Sequence, residues 1–251
     1  MKQIIFIIFL FMTFCACEED IDPYNGKSGI YFDNKNILLD TVFIPWGLKK
    51  SEIKEQTLQL KVRLFGDVAP HDRKFSIDII SDEGDTVRAQ KGVDFQTFPT
   101  EYTIPASQAE TSISIQLLRT DALQTHARRF TIRLQENQDF GFLYSRRSQV
   151  DSVTVRLIDI QRVIYMDETF PEPGWWSRDG KKIFGDWSMK KSILICDVMD
   201  IDREVWVGDL VGTLTLGYLK YAGKYMHRWL QENPTPDENG ELMQMGPDSQ
   251  N

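Results

Sequence analysis

The chain has 251 residues, 41% hydrophobic and 26% charged, with a formal net charge of −8 at pH 7. That is enough apolar chain for a globular core without disulfides or metal. So acidic a balance speaks against nucleic-acid binding, which needs Lys/Arg surfaces to displace phosphate counterions. After residue 16 no apolar run approaches the ~18 to 20 residues that span a bilayer.

At the amino terminus Lys2 is a minimal positive region, and residues 4–14 are apolar except for Thr13. This is the size of an export signal rather than a spanning helix. The following Phe14-Cys15-Ala16-Cys17 resembles the lipobox of bacterial lipoproteins, with Phe14 where Leu is usual. The resemblance implies a signal peptide over residues 1–16 and an acylated Cys17, whose chains bind the membrane by roughly 0.8 kcal/mol per buried CH₂. The alternative is a plain secretory signal with an incidental cysteine. Residues 17–27 form an acidic tether. Its Glu18, Glu19, Asp20 and Asp22 are similar to the surface-export signal of Bacteroidota lipoproteins, which implies an outer-membrane protein facing the exterior.

Residues 28–164 are expected as one domain, and from Ser28 to Asp159 they follow a period of two. Leu58, Leu60, Val62 and Leu64 alternate with polar residues, as do Phe75, Ile77 and Ile79. The pattern repeats at Ile113, Ile115 and Leu117, at Phe130, Ile132 and Leu134, and at Val153, Val155 and Leu157. Shorter runs at 30–32 and 102–104 bring the expected strands to about seven, an immunoglobulin-like antiparallel β-sandwich with one wet face per sheet.

Pro171-Glu172-Pro173-Gly174 marks a boundary, and residues 165–251 read as a smaller, aromatic-rich α/β or helical domain. From Asp209, expected near an N-cap, Leu210, Leu214, Tyr218, Tyr221, Tyr225 and Trp229 keep to one helix face, a stripe expected in the core. Gly212, Gly217 and Gly223 weaken that helix by roughly 1 kcal/mol each relative to Ala. The tail beyond Asn233 is expected as loop and frayed end. Trp175 and Trp176 are adjacent after the proline bend. In an extended chain they point opposite ways, which makes them candidate interaction residues for glycan or protein.

Catalytic and metal signatures are missing from the sequence. His71, His126 and His227 lie far apart, and no metal, phosphate-loop or nucleophile-elbow motif occurs. Cys196, flanked by Ile193, Leu194 and Ile195, reads as a buried small hydrophobe. No cofactor, metal or catalytic residue is expected, and no enzyme.

Gly92-Val93-Asp94-Phe95, Tyr102-Thr103-Ile104-Pro105-Ala106, Ser112–Ile115, Arg129–Leu134 and Asn137 with Phe140 resemble the Calx-β pattern. The resemblance implies a weak calcium possibility to which Asp94, Asp139 and Asp159 could contribute, although no loop shows dense oxygen-ligand spacing. With the lipobox and the stretch Gly185-Asp186-Trp187-Ser188 before Lys190 and Lys191, the chain is similar to the DUF4843 family of Bacteroidota lipoproteins. That resemblance implies a non-enzymatic accessory subunit of a SusC/SusD-like nutrient uptake system, with a SusC-like barrel and a SusD-like lipoprotein as partners and glycan or peptide as cargo. A stand-alone glycan- or protein-binding adhesion module is the alternative.

Overall fold

The computed structural model describes residues 27–33, 40–81, 84–142, 147–149, 155–157, 159–210 and 214–250. The signal sequence, Cys17, Glu18, Glu19, Asp20 and Val153 lie outside the described residues. One sheet orders β6 (Glu110–Leu118), β3 (Glu55–Phe65), β1 (Ser28–Phe32) and β8 (Phe140–Gly141). The other orders β2 (Thr41–Pro45), β11 (Gln161–Asp167), β7 (Arg128–Leu134), β4 (Arg73–Ile80) and β5 (Glu101–Ile104). Alternate side chains of both sheets fill one core: Leu60 and Val62, Phe75 and Ile77, Ile113 and Ile115, Phe130 and Ile132. Each such burial is worth ~1.5 to 3 kcal/mol.

Pairing is antiparallel except for β1 with β8 and β2 with β11, which are parallel. The expected last strand, Val155 and Leu157, instead forms β10 (Val155–Leu157), paired with β9 (Arg147–Gln149) in a separate two-stranded sheet. The place beside β7 belongs to β11, which crosses the 164/165 boundary and runs on to Asp167. Its alternation is disguised, because Val163 and Tyr165 face outward while Arg162 points into the core. Arg162 survives there by donating from Nη2 to the Phe32 carbonyl (2.9 Å), with its guanidinium over the Phe32 ring (5.1 Å to the centroid).

Several Calx-β-like residues build the sandwich corners. Gly92 takes φ +82° and its N–H donates to the Phe95 carbonyl. That turn delivers Phe95 into the core, stacked on Phe130 at 4.1 Å. Asn137 Oδ1 accepts from the N–H groups of Asp139 and Phe140, both at 2.9 Å, closing the turn before β8.

A second core begins at Phe170. Trp175 has helical dihedrals and leads into a π-helical turn (Trp176–Gly180) continued by α1 (Lys181–Phe184). Three helices follow: α2 (Met189–Met199), α3 (Arg203–Val207) and α4 (Leu216–Glu232). Ser188, Asp202 and Thr215 cap them by accepting backbone N–H bonds.

Helix α4 thus starts at Leu216 rather than near Asp209, and its buried side is Leu219, Ala222, Gly223, Met226 and Leu230. The Tyr218–Trp229 series lies one or two positions around the helix from that side, so the stripe expected in the core flanks it and is partly exposed. Gly223 is required by packing: an added Cβ would sit 2.2 Å from Ser249 Oγ and 2.4 Å from Ile183 Cγ2. The tail is not frayed as far as Gln250. Met243, Met245 and Ser249 are buried against α4 and α1, and the Ser249 hydroxyl donates to the Ile183 carbonyl.

Candidate functional site

The segment after β2 is where the two cores meet. Pro45 ends the strand, Trp46 stays in the sandwich core, and Leu48 packs on the helical core. Between them Gly47 presses so closely on the chain leaving β11 that an added Cβ would lie 2.4 Å from the Glu168 carbonyl oxygen and 2.5 Å from that of Thr169.

Two arginines grip this loop from opposite sides. Arg119, at the end of β6, donates from Nε and Nη2 to the Glu168 carboxylate (2.6 and 2.8 Å) and from Nη1 to the Lys50 carbonyl (2.8 Å). Arg203, in the first turn of α3, is buried. Its Nη1 donates to the carbonyls of Gly47 (3.1 Å) and Lys49 (2.6 Å), and its Nη2 to Ser51 Oγ (3.0 Å) and to Asp197 (2.8 Å). Bonds to charged groups contribute about 1.5 to 3 kcal/mol each, and the bidentate Arg119–Glu168 pair also fixes direction.

Beside this clamp opens a cleft of about 620 Å³. Its sandwich wall carries Asp121, Thr125, His126, Tyr165 and Asp167, and its helical wall Met189 and Ile193. Asp167 accepts from the Thr169 hydroxyl at 2.8 Å, which fixes one hydroxyl at the rim. The arrangement offers an open slot with hydroxyl, carboxylate and imidazole groups and one phenol ring, suited to holding a polar ligand.

Tyr165 also belongs to the outer face of the five-stranded sheet. In register with Phe43 on one side and Arg129 on the other, it meets the Phe43 ring edge-on at 5.7 Å, and Phe43 is 61% exposed. A second hollow of about 550 Å³ lies along this face, lined by Val163, Arg129, Arg133 and Gln161 among others. Its polar groups are already oriented: Arg133 donates to Gln161, Gln161 to Asp40, and Arg129 to Asp85. The Arg129 bond holds the Asp85 carboxyl below the usual carboxylate range. The two hollows share Tyr165.

The residues singled out in the sequence lie elsewhere. Trp175 and Trp176 are both buried, because the chain turns helically there instead of extending. They stack at 5.6 Å against each other, with Trp206 edge-on to Trp175 at 5.0 Å. Their indole N–H groups donate to the Trp206 and Gly185 carbonyls, so neither presents a surface to a ligand. Asp94 is committed to the Gln90 N–H and the Thr120 hydroxyl, far from a cation-ready arrangement. Among the described residues no group of three His, Cys, Asp or Glu is placed to hold a metal. His126 alone of the three histidines lines the cleft.

Cys196 is buried, and burial pushes its thiol far up. Lys191 is buried as well, its pKa lowered by desolvation, and its Nζ donates to the carbonyls of Phe184 and Asp186. Sequence reasoning passed over Phe43, Arg119, Tyr165 and Arg203. The signal for the first and third was weak: Val42, Phe43 and Ile44 are an unbroken apolar run with no alternation to show which faces out, and Tyr165 pairs with Phe43 from 122 positions further along the chain. Among the described residues no helix is long and apolar enough to cross a membrane.

Residues 24–201 match the family described as "Domain of unknown function (DUF4843)". Among solved structures the chain is similar to the Calx CBD1 domain, with 14% identity over 57% of this chain and 97% of that one, at a TM-score of 0.35. It is also similar to a Bacteroides ovatus protein named a "putative carbohydrate binding protein" (10% identity, 55% of this chain, 36% of that one, TM-score 0.35). A Bacteroides ovatus protein of unknown function gives 16% identity over 55% of this chain and 43% of that one, at a TM-score of 0.37. The chain thus spans under half the length of either Bacteroides protein. A search of curated proteins finds no match.

Proposed function

The chain belongs to the DUF4843 family, and from that premise we propose a non-enzymatic binding protein held at the outer-membrane surface by acyl chains on Cys17. The observation that carries the binding role is the clamped cleft between the sandwich and the helices, whose polar walls are fixed before any ligand arrives. In this reading the protein is an accessory subunit of a SusC/SusD-like uptake complex, and the cleft receives a glycan or peptide segment on its way to the barrel. The acidic segment with Glu18, Glu19 and Asp20 gives the reach, and the acyl chains give the membrane affinity.

Gentle detergent extraction of the carboxy-terminally tagged protein tests this, with mass spectrometry of what co-purifies. Recovery with a barrel transporter and its lid lipoprotein supports the accessory role. Recovery alone, from cells expressing such transporters, favours the second reading, a stand-alone glycan-binding module. The exposed Phe43 ring, with half-buried Tyr165 edge-on to it, supports that reading, because aromatic faces stack on sugar rings. Either way, Tyr165→Ala with His126→Ala weakens ligand binding while the clamp, and hence the fold, is left in place.

A further inference from the structure

Helix α4 repeats a basic–aromatic pair three times: Lys220-Tyr221, Lys224-Tyr225 and Arg228-Trp229. Four residues carry a helix about 400° round and about 6 Å along, so equivalent members of successive pairs fall nearly in line. The result is two parallel rows, with Tyr221, Lys224 and Arg228 farthest from Leu219, Ala222 and Met226 and the aromatic row winding back to Trp229 at the edge of the core. The three cations are exposed, Tyr221 is 55% and Tyr225 36% exposed, and Trp229 is half-buried. The Tyr221 ring lies 6.3 Å from that of Tyr225, so the aromatic row is continuous along the helix.

Packing does not call for Tyr221, Tyr225 or the three cations, because the opposite side of α4, with Trp229 at its edge, closes the core without them. Nor do internal ion pairs: among the described residues Lys220, Lys224 and Arg228 form none. A cationic ridge on a chain of net charge −8 is a local reversal of sign that attracts a polyanion. Its regular repeat of ring and charge matches a polymer that itself repeats a ring and a negative group. A phospholipid surface has no such period, and it would be met best by an apolar crest, whereas the middle of this exposed face carries Arg228.

We infer that α4 binds an acidic polysaccharide, with each aromatic ring receiving the C–H face of a sugar and the cation beside it pairing with that sugar's carboxylate or sulfate. No α4 residue lines the junction cleft, so this site stands whether or not the cleft holds a ligand.

The test uses the full chain in detergent over immobilised polygalacturonate and heparin, with dextran as the neutral control. The protein is retained on the acidic polymers in low salt, released as salt rises, and not held by dextran. Lys220→Gln with Lys224→Gln and Arg228→Gln lowers affinity by about tenfold or more, because three counterion-releasing contacts are gone. Tyr221→Ser with Tyr225→Ser keeps every charge and also weakens binding several-fold, which bulk attraction alone would not produce. All five side chains point to solvent, so circular dichroism of the variants stays that of the parent. Failure of either acidic polymer to retain the parent overturns the inference, as does unchanged retention in either variant. Tighter sedimentation with vesicles of phosphatidylglycerol and phosphatidylcholine than binding to polygalacturonate overturns it in favour of a lipid surface.

Discussion

In the sandwich, aliphatic and phenylalanine side chains arrive mostly at every second position from long paired strands, and the core is shared among many of them. In the helical part, Trp175, Trp176, Phe184 and Trp206 interlock through ring contacts between 5.0 and 6.3 Å, and short helices of four to eleven residues wrap around them. A long strand is held by its neighbours along its whole length. A five-residue helix such as α3 is far below the ~12 to 15 residues that sustain an isolated helix, so it exists only because of what it packs against. One core distributes its stability and the other concentrates it.

The sharpest way to break that contrast is Trp206→Ala. Trp206 is fully buried and touches the other three rings, so the substitution costs about 3 to 5 kcal/mol and unfolds the helical part first. Urea unfolding followed by tryptophan fluorescence and by far-ultraviolet circular dichroism then separates into two steps, the β signal persisting to higher urea. Ile113→Ala in the sandwich costs about 2 to 5 kcal/mol and lowers the β transition instead.

A smaller effect probes the coupling between the regions. Arg203→Met strips the Gly47 and Lys49 carbonyls and Ser51 of their charged donor, at about 2 kcal/mol. Its diagnostic sign is faster proteolysis in the segment 46–54, with both cores still folded. Gly223→Ala sets a helix-propensity gain of about 1 kcal/mol against collision with Ser249 and Ile183. Overpacking of about 1 to 3 kcal/mol wins, and thermal melting falls rather than rises.

The smallest effect is a pH effect on the sandwich alone. Asp85 is held below the usual carboxylate range in the folded state by the Arg129 hydrogen bond. Its contribution is therefore present above the ordinary carboxylate pKa and is lost as pH falls through the lowered one. Asp85→Asn removes that part of the acid dependence and leaves the helical transition unchanged.

What was legible in the sequence follows the same division. Leu60, Val62 and Leu64 announce both their strand and their buried face, because a period of two translates directly into sides of a sheet. The rule failed at β11, where a buried arginine and outward Val163 and Tyr165 reverse the usual signs. In the helical part the aromatic spacing gave a helix and part of its buried face: Leu214 is in the core and Leu210, Tyr218 and Trp229 pack against it, but Tyr221 and Tyr225 are exposed. The small residues Ala222 and Gly223 mark the contact side, and what makes them essential is Ser249, which lies 26 positions further along the chain. The cleft was illegible for a similar reason. It is assembled from the ends of β6 and β11, one loop and two helices, joined by arginines whose partners include the backbone carbonyls of Gly47, Lys49, Lys50 and Ile53. Carbonyls are present at every residue and leave no trace in a sequence.

Strand β1 has a mechanical consequence. It lies between β3 and β8, with its first residue, Ser28, already paired to Phe140, and Lys27 just ahead of it donates to the Asn137 carbonyl. A pull on the chain ahead of Ser28 runs along β1 and loads its rungs to both neighbours together in shear, rather than peeling them one at a time. A sandwich hung from its amino terminus in flowing medium would be suspended by one of its inner strands, the part of a sheet that resists tension best.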